Sequence, residues 1–260
     1  MNKQTILKLH RILAPIIDIR ALAYLPRTLW LSGRYLKDYF RYKKVSLNES
    51  VLISDLYPCV NDRVYASSSG KGHYFYQDIW ALRKVAKSGV KKHFDVGSRI
   101  DGFVGQCSII CEIEFLDLRP VDLGVENLSM KTGDVLHLPY PDDSIMSLSC
   151  LHVLEHIGLG RYGDSLCPTG SQNAAKELAR ALAPGGNLYV SFPIGRERVE
   201  FNAHRVFAPL TALDLFQGLE LVEFAAVDDR GFFTKDPHPL DFVDSDYACG
   251  LFHFSKSVNR

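Results

Sequence analysis

Residues 93–102 read HFDVGSRIDG, and this stretch decides the fold. An apolar run ends at Asp95 and Val96, and Gly97 follows directly, which predicts a buried strand that enters a tight turn. A glycine at this point lets the backbone approach a ligand closely. Because ligands of open α/β sheets bind beyond the carboxyl ends of the strands, this turn is the first candidate for a binding site.

Strand and helix patterns alternate on both sides of the turn. The predicted helices are 77–87, 104–110 and 171–182, and the predicted strands are 92–96, 111–118, 144–151, 187–192, 219–227 and 247–255. The last two strands are expected to form an antiparallel pair. The alternation favours an α/β fold with a doubly wound, mostly parallel, seven-stranded sheet of Rossmann-like type.

The N-terminal segment differs in charge from the rest of the chain. Residues 1–44 contain ten Lys or Arg and two Asp, although the whole chain has no net charge. One interpretation is a helix that lies on an anionic membrane surface. The interpretation we favour is a helical extension packed on the acidic main domain. We therefore expect a helical extension and loop over 1–72 and a main domain over 73–260, with no nucleic-acid partner because no such motif is present.

The cysteines and the hydropathy pattern indicate the compartment. Six scattered cysteines form no Cys-x-x-Cys pair, which is typical of reduced thiols in a reducing environment. No apolar run is long enough for a transmembrane helix, and the N-terminus lacks the pattern of a signal peptide. A cytoplasmic protein is expected, with peripheral membrane contact through residues 1–44 as the alternative.

Further signals follow the first turn in a fixed order. Asp117 comes at a predicted strand end, where a carboxylate can accept hydrogen bonds from a ribose diol. Asp134 follows Gly133 and can accept from an adenine amine. The remaining signals are the runs LPYPDDS at 138–144, LHVLEHI at 151–157 and PGG at 184–186. Each signal is common alone, but their order and spacing favour a nucleoside cofactor.

With these motifs, residues 73–255 resemble the class I S-adenosylmethionine-dependent methyltransferases. The order of Asp134, LPYPDDS, LEHI and PGG is similar to the small-molecule branch of that superfamily. More narrowly, HYFYQD at 73–78, DVGSR at 95–99 and FNAHR at 201–205 look like a methyltransferase-like family that is catalogued only as a domain of unknown function.

The resemblance implies that S-adenosylmethionine is the cofactor and assigns residues to its parts. Asp117 would hold the ribose hydroxyls. The other implied contacts are Asp95, Gly97, Ser98, Arg99, Asp101 and Gly102 for the amino-acid part, Asp134 and Val135 for adenine, and Cys150 and Leu151 beside the methyl group. Arg99 and Asp101 stand where typical members have glycine. Arg99 is therefore expected to pair either with the cofactor carboxylate or with Asp101.

Methyl transfer to oxygen also needs a base. His152, Glu155 and His156 have the spacing that shares one face of a helix, and we predict His156 as the base with Glu155 orienting it. His204 is the second candidate. The same four side chains could hold a divalent metal, an arrangement similar to that of small-RNA ribose methyltransferases. An ordinary polar pair of Glu155 and His156 without metal is the interpretation we favour.

Two functions stay open from the sequence. The first is O-methylation of a small hydroxylated or sugar-type acceptor. Arg161, Arg196 and Arg198 would then favour an anionic acceptor. The second is a binding or scaffold protein on a degenerate methyltransferase fold. Asp117, Asp134 and the Glu155–His156 pair favour the first, and the altered glycine turn favours the second.

Overall fold

The computed structural model describes residues 19–45, 52, 53, 56, 58, 59, 72–121 and 123–258, with side chains of the first helix described from residue 25. The chain divides into two compact units, residues 1–68 and residues 69–260. In the first unit, helix α1 spans Ile19–Val45 and contains Pro26. Its last turn carries Lys43 and Lys44. Residues 1–18 of the basic segment lie outside the described residues. Within the described part of the chain, no helix has the length and hydropathy needed to cross a membrane.

The second unit is built on an eight-stranded sheet with the order β3-β2-β1-β4-β5-β10-β8-β9. Its strands are β1 (Lys92–Val96), β2 (Glu112–Asp117), β3 (Leu128–Thr132), β4 (Ile145–Leu151), β5 (Leu182–Ile194), β8 (Glu220–Val227), β9 (Phe233–Lys235) and β10 (Ala248–Ser255). Strands β1 to β5 pair in parallel. Strands β10, β8 and β9 add antiparallel pairs at the β5 side.

This topology confirms the predicted α/β sheet and its closing antiparallel pair. The predicted strand number was wrong, because β9 adds an eighth strand of three residues. The individual predictions also missed β3, which carries only partly buried and exposed residues and so lacks the apolar run of an interior strand. Strand β5 begins at Leu182 and includes Pro184-Gly185-Gly186, whereas the strand predicted from the sequence began at residue 187.

Helices cover both faces of the sheet. They are α2 (His73–Ser88), α3 (Gly105–Cys107), α4 (Gly170–Ala181) and α5 (Pro209–Asp214). A π-helical turn, Ile100–Val104, leads into α3, so the helical stretch predicted over 104–110 begins and ends earlier. A two-stranded hairpin of β6 (Arg198–Glu200) and β7 (His204–Val206) stands apart from the main sheet. Two 3-10 helices span Leu154–His156 and Pro239–Phe242.

The core lies on both faces because successive residues of a strand point to opposite sides. Leu188 and Val190 of β5 belong to a cluster with α4, whereas Tyr189 belongs to a cluster with α2. Trp80 of α2 contacts Tyr189 edge-on, with ring centroids 6.2 Å apart. With its faces covered, the sheet leaves its carboxyl edge for a site, as expected for parallel sheets.

Candidate functional site

The first turn, residues 95–102, is held by a buried network at the carboxyl end of β1. Asp95 is fully buried and accepts hydrogen bonds from the Ser98 amide (3.0 Å), the Ser98 hydroxyl (2.7 Å) and the Ser149 hydroxyl. The Ser98 hydroxyl also accepts from the Leu151 amide at 3.0 Å. These bonds tie the turn to the end of β4. Asp95 and Ser98 therefore build the frame of the turn.

Burial raises the pKa of Asp95 to about 6, although the hydrogen bonds from Ser149 and Ser98 act in the opposite direction. Two residues earlier, His93 is also fully buried between the hydroxyls of Ser147 (2.7 Å) and Ser149 (2.8 Å). Burial lowers the pKa of His93 to about 3. Both groups are therefore held in their neutral forms over part of the acid range.

The outer half of the turn faces solvent. Arg99 donates two hydrogen bonds to Asp101, at 3.0 and 2.7 Å, and its guanidinium lies 4.6 Å from the ring centroid of Tyr74. Of the two predicted partners of Arg99, the structure places Asp101 against it. Gly97 has φ 69°, a conformation that favours glycine. A Cβ at Gly102 would clash with the carboxylate of Asp78, so a larger residue there would displace that side chain.

A cavity of about 310 Å³ opens between the first turn and the residues that follow β4. Its lining combines aromatic rings, histidines and charged groups: Tyr74, Gly97, Arg99, Leu151, His152, Glu155, His156, Arg161, Tyr162, His204 and Tyr247. The volume is at the small end of the range for ligand pockets, and the lining is more polar than is usual for them.

The cavity brings together six of the predicted site residues and leaves out the others. Gly97, Arg99, Leu151, Glu155, His156 and His204 line it. Val135 and Cys150 are buried in the core, and the carboxylates of Asp117 and Asp134 accept backbone amides of Arg119 (2.8 Å) and Leu136 (2.9 Å) at other strand ends. The predicted adenine and ribose contacts thus lie outside this cavity.

Three residues that follow β4 and one residue of β7 form what we call the β4 cluster: His152, Glu155, His156 and His204. The predicted shared helical face is corrected, since His152 has φ 55° and Glu155 and His156 lie in a 3-10 turn. The geometry still brings them together. Glu155 Oε1 lies 2.6 Å from His152 Nδ1 and 3.6 Å from His156 Nε2. Glu155 Oε2 is buried and has no hydrogen-bond partner among the described residues.

The charges of the cluster follow from these contacts. Burial alone would raise the pKa of Glu155, but the charge and hydrogen bond of His152 lower it below its ordinary value. Burial alone would lower the pKa of His152, but Cys249 and Glu155 raise it well above its ordinary value. Burial lowers the pKa of His156, whose Nδ1 donates to the Ala203 carbonyl at 2.6 Å. Because a carbonyl can only accept, Nδ1 carries the proton, and the lowered pKa favours the neutral imidazole with its lone pair on Nε2.

His204 approaches the cavity from β7. Burial lowers its pKa, and its Nε2 lies 3.5 Å from Glu200 Oε2 without forming a hydrogen bond. Of the three predicted arginines, Arg161 lines the cavity, while Arg196 is paired with Asp246 and Arg198 with Glu200 at 3.0 Å. The cavity thus offers one arginine to an anionic ligand besides Arg99.

Sequence reasoning missed several neighbours of the cluster. Tyr74 lies in the HYFYQD motif, whose residues were noted without a role, and Tyr247 and Cys249 lie on β10 or just before it. Cys249 pairs with Pro193 across the β5–β10 ladder and reaches His152 Nε2 at 3.4 Å. A local pattern contains no signal for such a contact, because it joins residues 97 positions apart in the sequence.

Solved structures with the same fold come from proteins of different activities. SpnF, a 4+2 cyclase, matches with a TM-score of 0.52 and 15% identity over 75% of this chain and 86% of its own. A Galdieria sulphuraria protein assigned as a sarcosine dimethylglycine methyltransferase matches with a TM-score of 0.51 and 16% identity, over 70% and 86% of the two chains. The chain has the class I methyltransferase fold.

Two further comparisons refine this result. The methyltransferase fold is also shared with geranyl diphosphate methyltransferase, solved with geranyl diphosphate and sinefungin, at a TM-score of 0.51 and 12% identity over 70% of this chain and 78% of that one. A family model described as a Caenorhabditis protein of unknown function, DUF268, matches residues 135–235. No curated protein matches the sequence. The methyltransferase fold and the match to a family of unknown function confirm the two predicted resemblances.

Proposed function

We propose that this chain is an S-adenosylmethionine-dependent methyltransferase that acts on an oxygen of a small hydroxylated or sugar-type acceptor. One observation carries the proposal. A single cavity is lined both by Gly97 of the first turn and by the buried carboxylate and three histidines of the β4 cluster. A cofactor turn beside a group that can accept a proton is what methyl transfer to oxygen requires.

The residues of the first turn fit the cofactor. Gly97 has a positive φ, and as a glycine it adds no side chain of its own where its backbone borders the cavity. Arg99 borders the same cavity and can bind the cofactor carboxylate if it leaves Asp101. Asp117 accepts one amide at the end of β2 and retains capacity for ribose hydroxyls. Asp134 and Val135 would flank the adenine at the next strand end.

When bound, S-adenosylmethionine supplies an electrophilic methyl group. The chain would contribute the alignment of the acceptor and the removal of its proton. His156 Nε2 is positioned to accept this proton, because Nδ1 already donates to the Ala203 carbonyl. Glu155 Oε1, 3.6 Å from that nitrogen, would stabilise the imidazolium that forms. Arg161 would attract an acidic or phosphorylated acceptor.

The experiment is product analysis with a panel of hydroxylated acceptors and sugars. We measure release of S-adenosylhomocysteine by wild type and by Glu155→Gln. We expect the variant to lose about 100-fold or more in turnover, the usual contribution of acid–base catalysis, at unchanged cofactor affinity. Glu126→Gln, which alters an exposed carboxylate, is the matched control. Equal turnover of Glu155→Gln and wild type would contradict the role of the cluster.

A second candidate is a binding or scaffold protein on the same fold. The Val153 side chain lies 3.1 Å from the position of a Cβ at Gly97, and Tyr74 covers the Arg99 guanidinium. These contacts reduce the space that the first turn leaves for a cofactor. They therefore favour a protein that does not bind one. SpnF, named as a cyclase, illustrates that this fold supports other activities. Absence of cofactor binding by the complete chain would favour the scaffold.

We also propose peripheral membrane contact through α1. Leu25, Leu29, Leu36 and Phe40 are exposed and share one face of the helix by their spacing, while Arg27, Arg34 and Arg41 occupy the opposite side. Co-sedimentation with vesicles would test this. Binding to anionic but not zwitterionic vesicles is expected, with loss on Leu29→Glu. Equal sedimentation of the variant and wild type would contradict it.

A further inference from the structure

Three side chains from distant parts of the sequence meet beside the cavity. His73 begins α2, His152 follows β4 and Cys249 lies in β10. Their ligand atoms all lie within 4.8 Å of one another. His152 and Cys249 are buried, and His73 is half-buried. We call these residues the His–His–Cys group. This group differs from the four side chains that the sequence suggested as metal ligands. Only His152 belongs to both sets.

The geometry of the group matches a metal site. In a tetrahedral zinc site with bonds of about 2.1 Å to nitrogen and 2.3 Å to sulfur, two such ligand atoms are about 3.6 Å apart. His152 Nε2 and Cys249 Sγ are 3.4 Å apart. The separation of nitrogen and sulfur is therefore already close to what one bound ion needs.

The outer contacts of both histidines are also those of metal ligands. Metal-bound histidines usually donate their second N–H to a carboxylate or a backbone carbonyl, which fixes the tautomer and the ring. His152 Nδ1 lies 2.6 Å from the buried carboxylate of Glu155. His73 hydrogen-bonds the backbone of Tyr247. His152 therefore has Nδ1 held by Glu155 and Nε2 directed to Cys249, and His73 has one ring nitrogen engaged by the backbone.

We propose that His73, His152 and Cys249 bind a zinc-type divalent cation. The ion would take the place of the proton between His152 Nε2 and Cys249 Sγ, and that proton would leave to solvent. Mixed thiolate and imidazole ligands select zinc and similar borderline metals over magnesium or calcium. Three protein ligands leave one position for water or a substrate atom. The site would also fasten α2 and β10 to the end of β4. The proposal does not depend on cofactor binding.

A different use of the same atoms is nucleophilic catalysis. Cys249, His152 and Glu155 form a chain of thiol, imidazole and carboxylate that resembles a cysteine–histidine–acid arrangement. Cys249 has no exposed surface, so an attacking sulfur would not reach a substrate in this conformation. That arrangement also gives no role to His73. The burial of the sulfur and the third ligand therefore favour metal binding.

The test uses the full chain after treatment with a chelator, with Co²⁺ and Zn²⁺ as the probes. We expect one Co²⁺ per chain and the absorption of a cobalt–thiolate bond, which Zn²⁺ then removes by competition. Cys249→Ser should abolish this absorption, whereas Cys167→Ser, a control at a partly exposed thiol, should retain it. Zn²⁺ should raise the Tm of wild type but not of Cys249→Ser.

His73→Asn provides a second test, since His73 is half-buried and its loss leaves the buried pair in place. We expect Co²⁺ affinity to fall by at least tenfold. Wild type that shows no cobalt–thiolate absorption would overturn the proposal. Equal binding by wild type and Cys249→Ser would overturn it as well, because the ion would then be adventitious. Metal-free wild type with rapid alkylation of Cys249 would instead support the nucleophile.

Discussion

The first turn and the β4 cluster lie at the same edge of the sheet, but their buried polar atoms differ in how completely they are hydrogen-bonded. In the turn, Asp95 is fully buried and receives three hydrogen bonds. In the cluster, Glu155 Oε2 and His204 Nε2 are buried without a hydrogen-bond partner among the described residues. A buried polar group without a partner costs about 1–3 kcal/mol.

This difference indicates that the first turn stabilises the site and that the β4 cluster is the part that reacts or binds. A network whose bonds are complete stabilises the fold, and it has little left for a ligand. Buried atoms without partners reduce stability, and they are retained where a ligand or a proton completes them. A buried carboxylate near the carboxyl end of a strand thus has opposite roles at Asp95 and at Glu155. Variants in the two regions should therefore differ in what they lose.

The largest expected effect is at the turn. Asp95→Ala removes the acceptor of the Ser98 amide and of the Ser98 and Ser149 hydroxyls, which stay buried. We expect the free energy of unfolding to fall by about 3 kcal/mol. Denaturant unfolding followed by circular dichroism measures it. Asp214→Ala, at an exposed position, should change it little. A loss below about 1 kcal/mol at Asp95 would remove the distinction between the regions.

An intermediate effect is expected from pH. The folded pKa of His93 is about 3 against 6.5 in the unfolded chain, so acidification below pH 6.5 lowers the free energy of unfolding. The folded pKa of Asp95 is about 6 against 3.8, so acidification from pH 6 to 4 raises it. The two contributions oppose each other. Asp95→Asn removes the second, and at about 1.4 kcal/mol per pH unit it should lose about 2 kcal/mol more than wild type over this range.

Denaturant unfolding at pH 7, 6, 5 and 4 on both proteins measures this difference. Parallel pH profiles for wild type and Asp95→Asn would show that folding leaves the pKa of Asp95 unchanged. Burial would then not raise this pKa, which would contradict the opposing contributions of His93 and Asp95.

The smallest effect on stability is expected in the cluster. His204→Phe keeps the aromatic contact with Tyr247, whose ring centroid lies 4.9 Å away, and removes the buried Nε2. We expect the free energy of unfolding to stay within about 1 kcal/mol of wild type, or to rise. Thermal unfolding compares the two proteins, and product analysis shows whether turnover falls. A fall of about 3 kcal/mol in the free energy of unfolding would show that His204 stabilises the fold as Asp95 does.

Much of the fold could be predicted because the parallel strands are long apolar runs. Strand β4 is buried along nearly its whole length, and β1 matches its predicted bounds. The edge strand β3 was missed since its residues are half-buried or exposed. Strand β9 has three residues and depends on pairing with β8. Strands of that kind follow from tertiary contacts that a local pattern does not contain.

The candidate site was predicted in its parts but not in its arrangement. The run 151–157 suggested Glu155 and His156 by their spacing after a buried strand, and both line the cavity. It also predicted a regular helix, whereas the positive φ of His152 and the 3-10 turn set the actual geometry. Cys249 and Tyr247 reach the site only through the β5–β10 ladder. Long-range pairing of this kind is invisible to spacing.

Calorimetric titration of S-adenosylmethionine into the full chain tests the central claim most directly. The account predicts micromolar binding by wild type and Asp214→Ala, and loss of binding by Asp117→Ala, whose carboxylate lies at the end of β2. Absence of heat at millimolar cofactor, in protein that unfolds cooperatively, would contradict the proposed methyltransferase and favour a scaffold on the same fold.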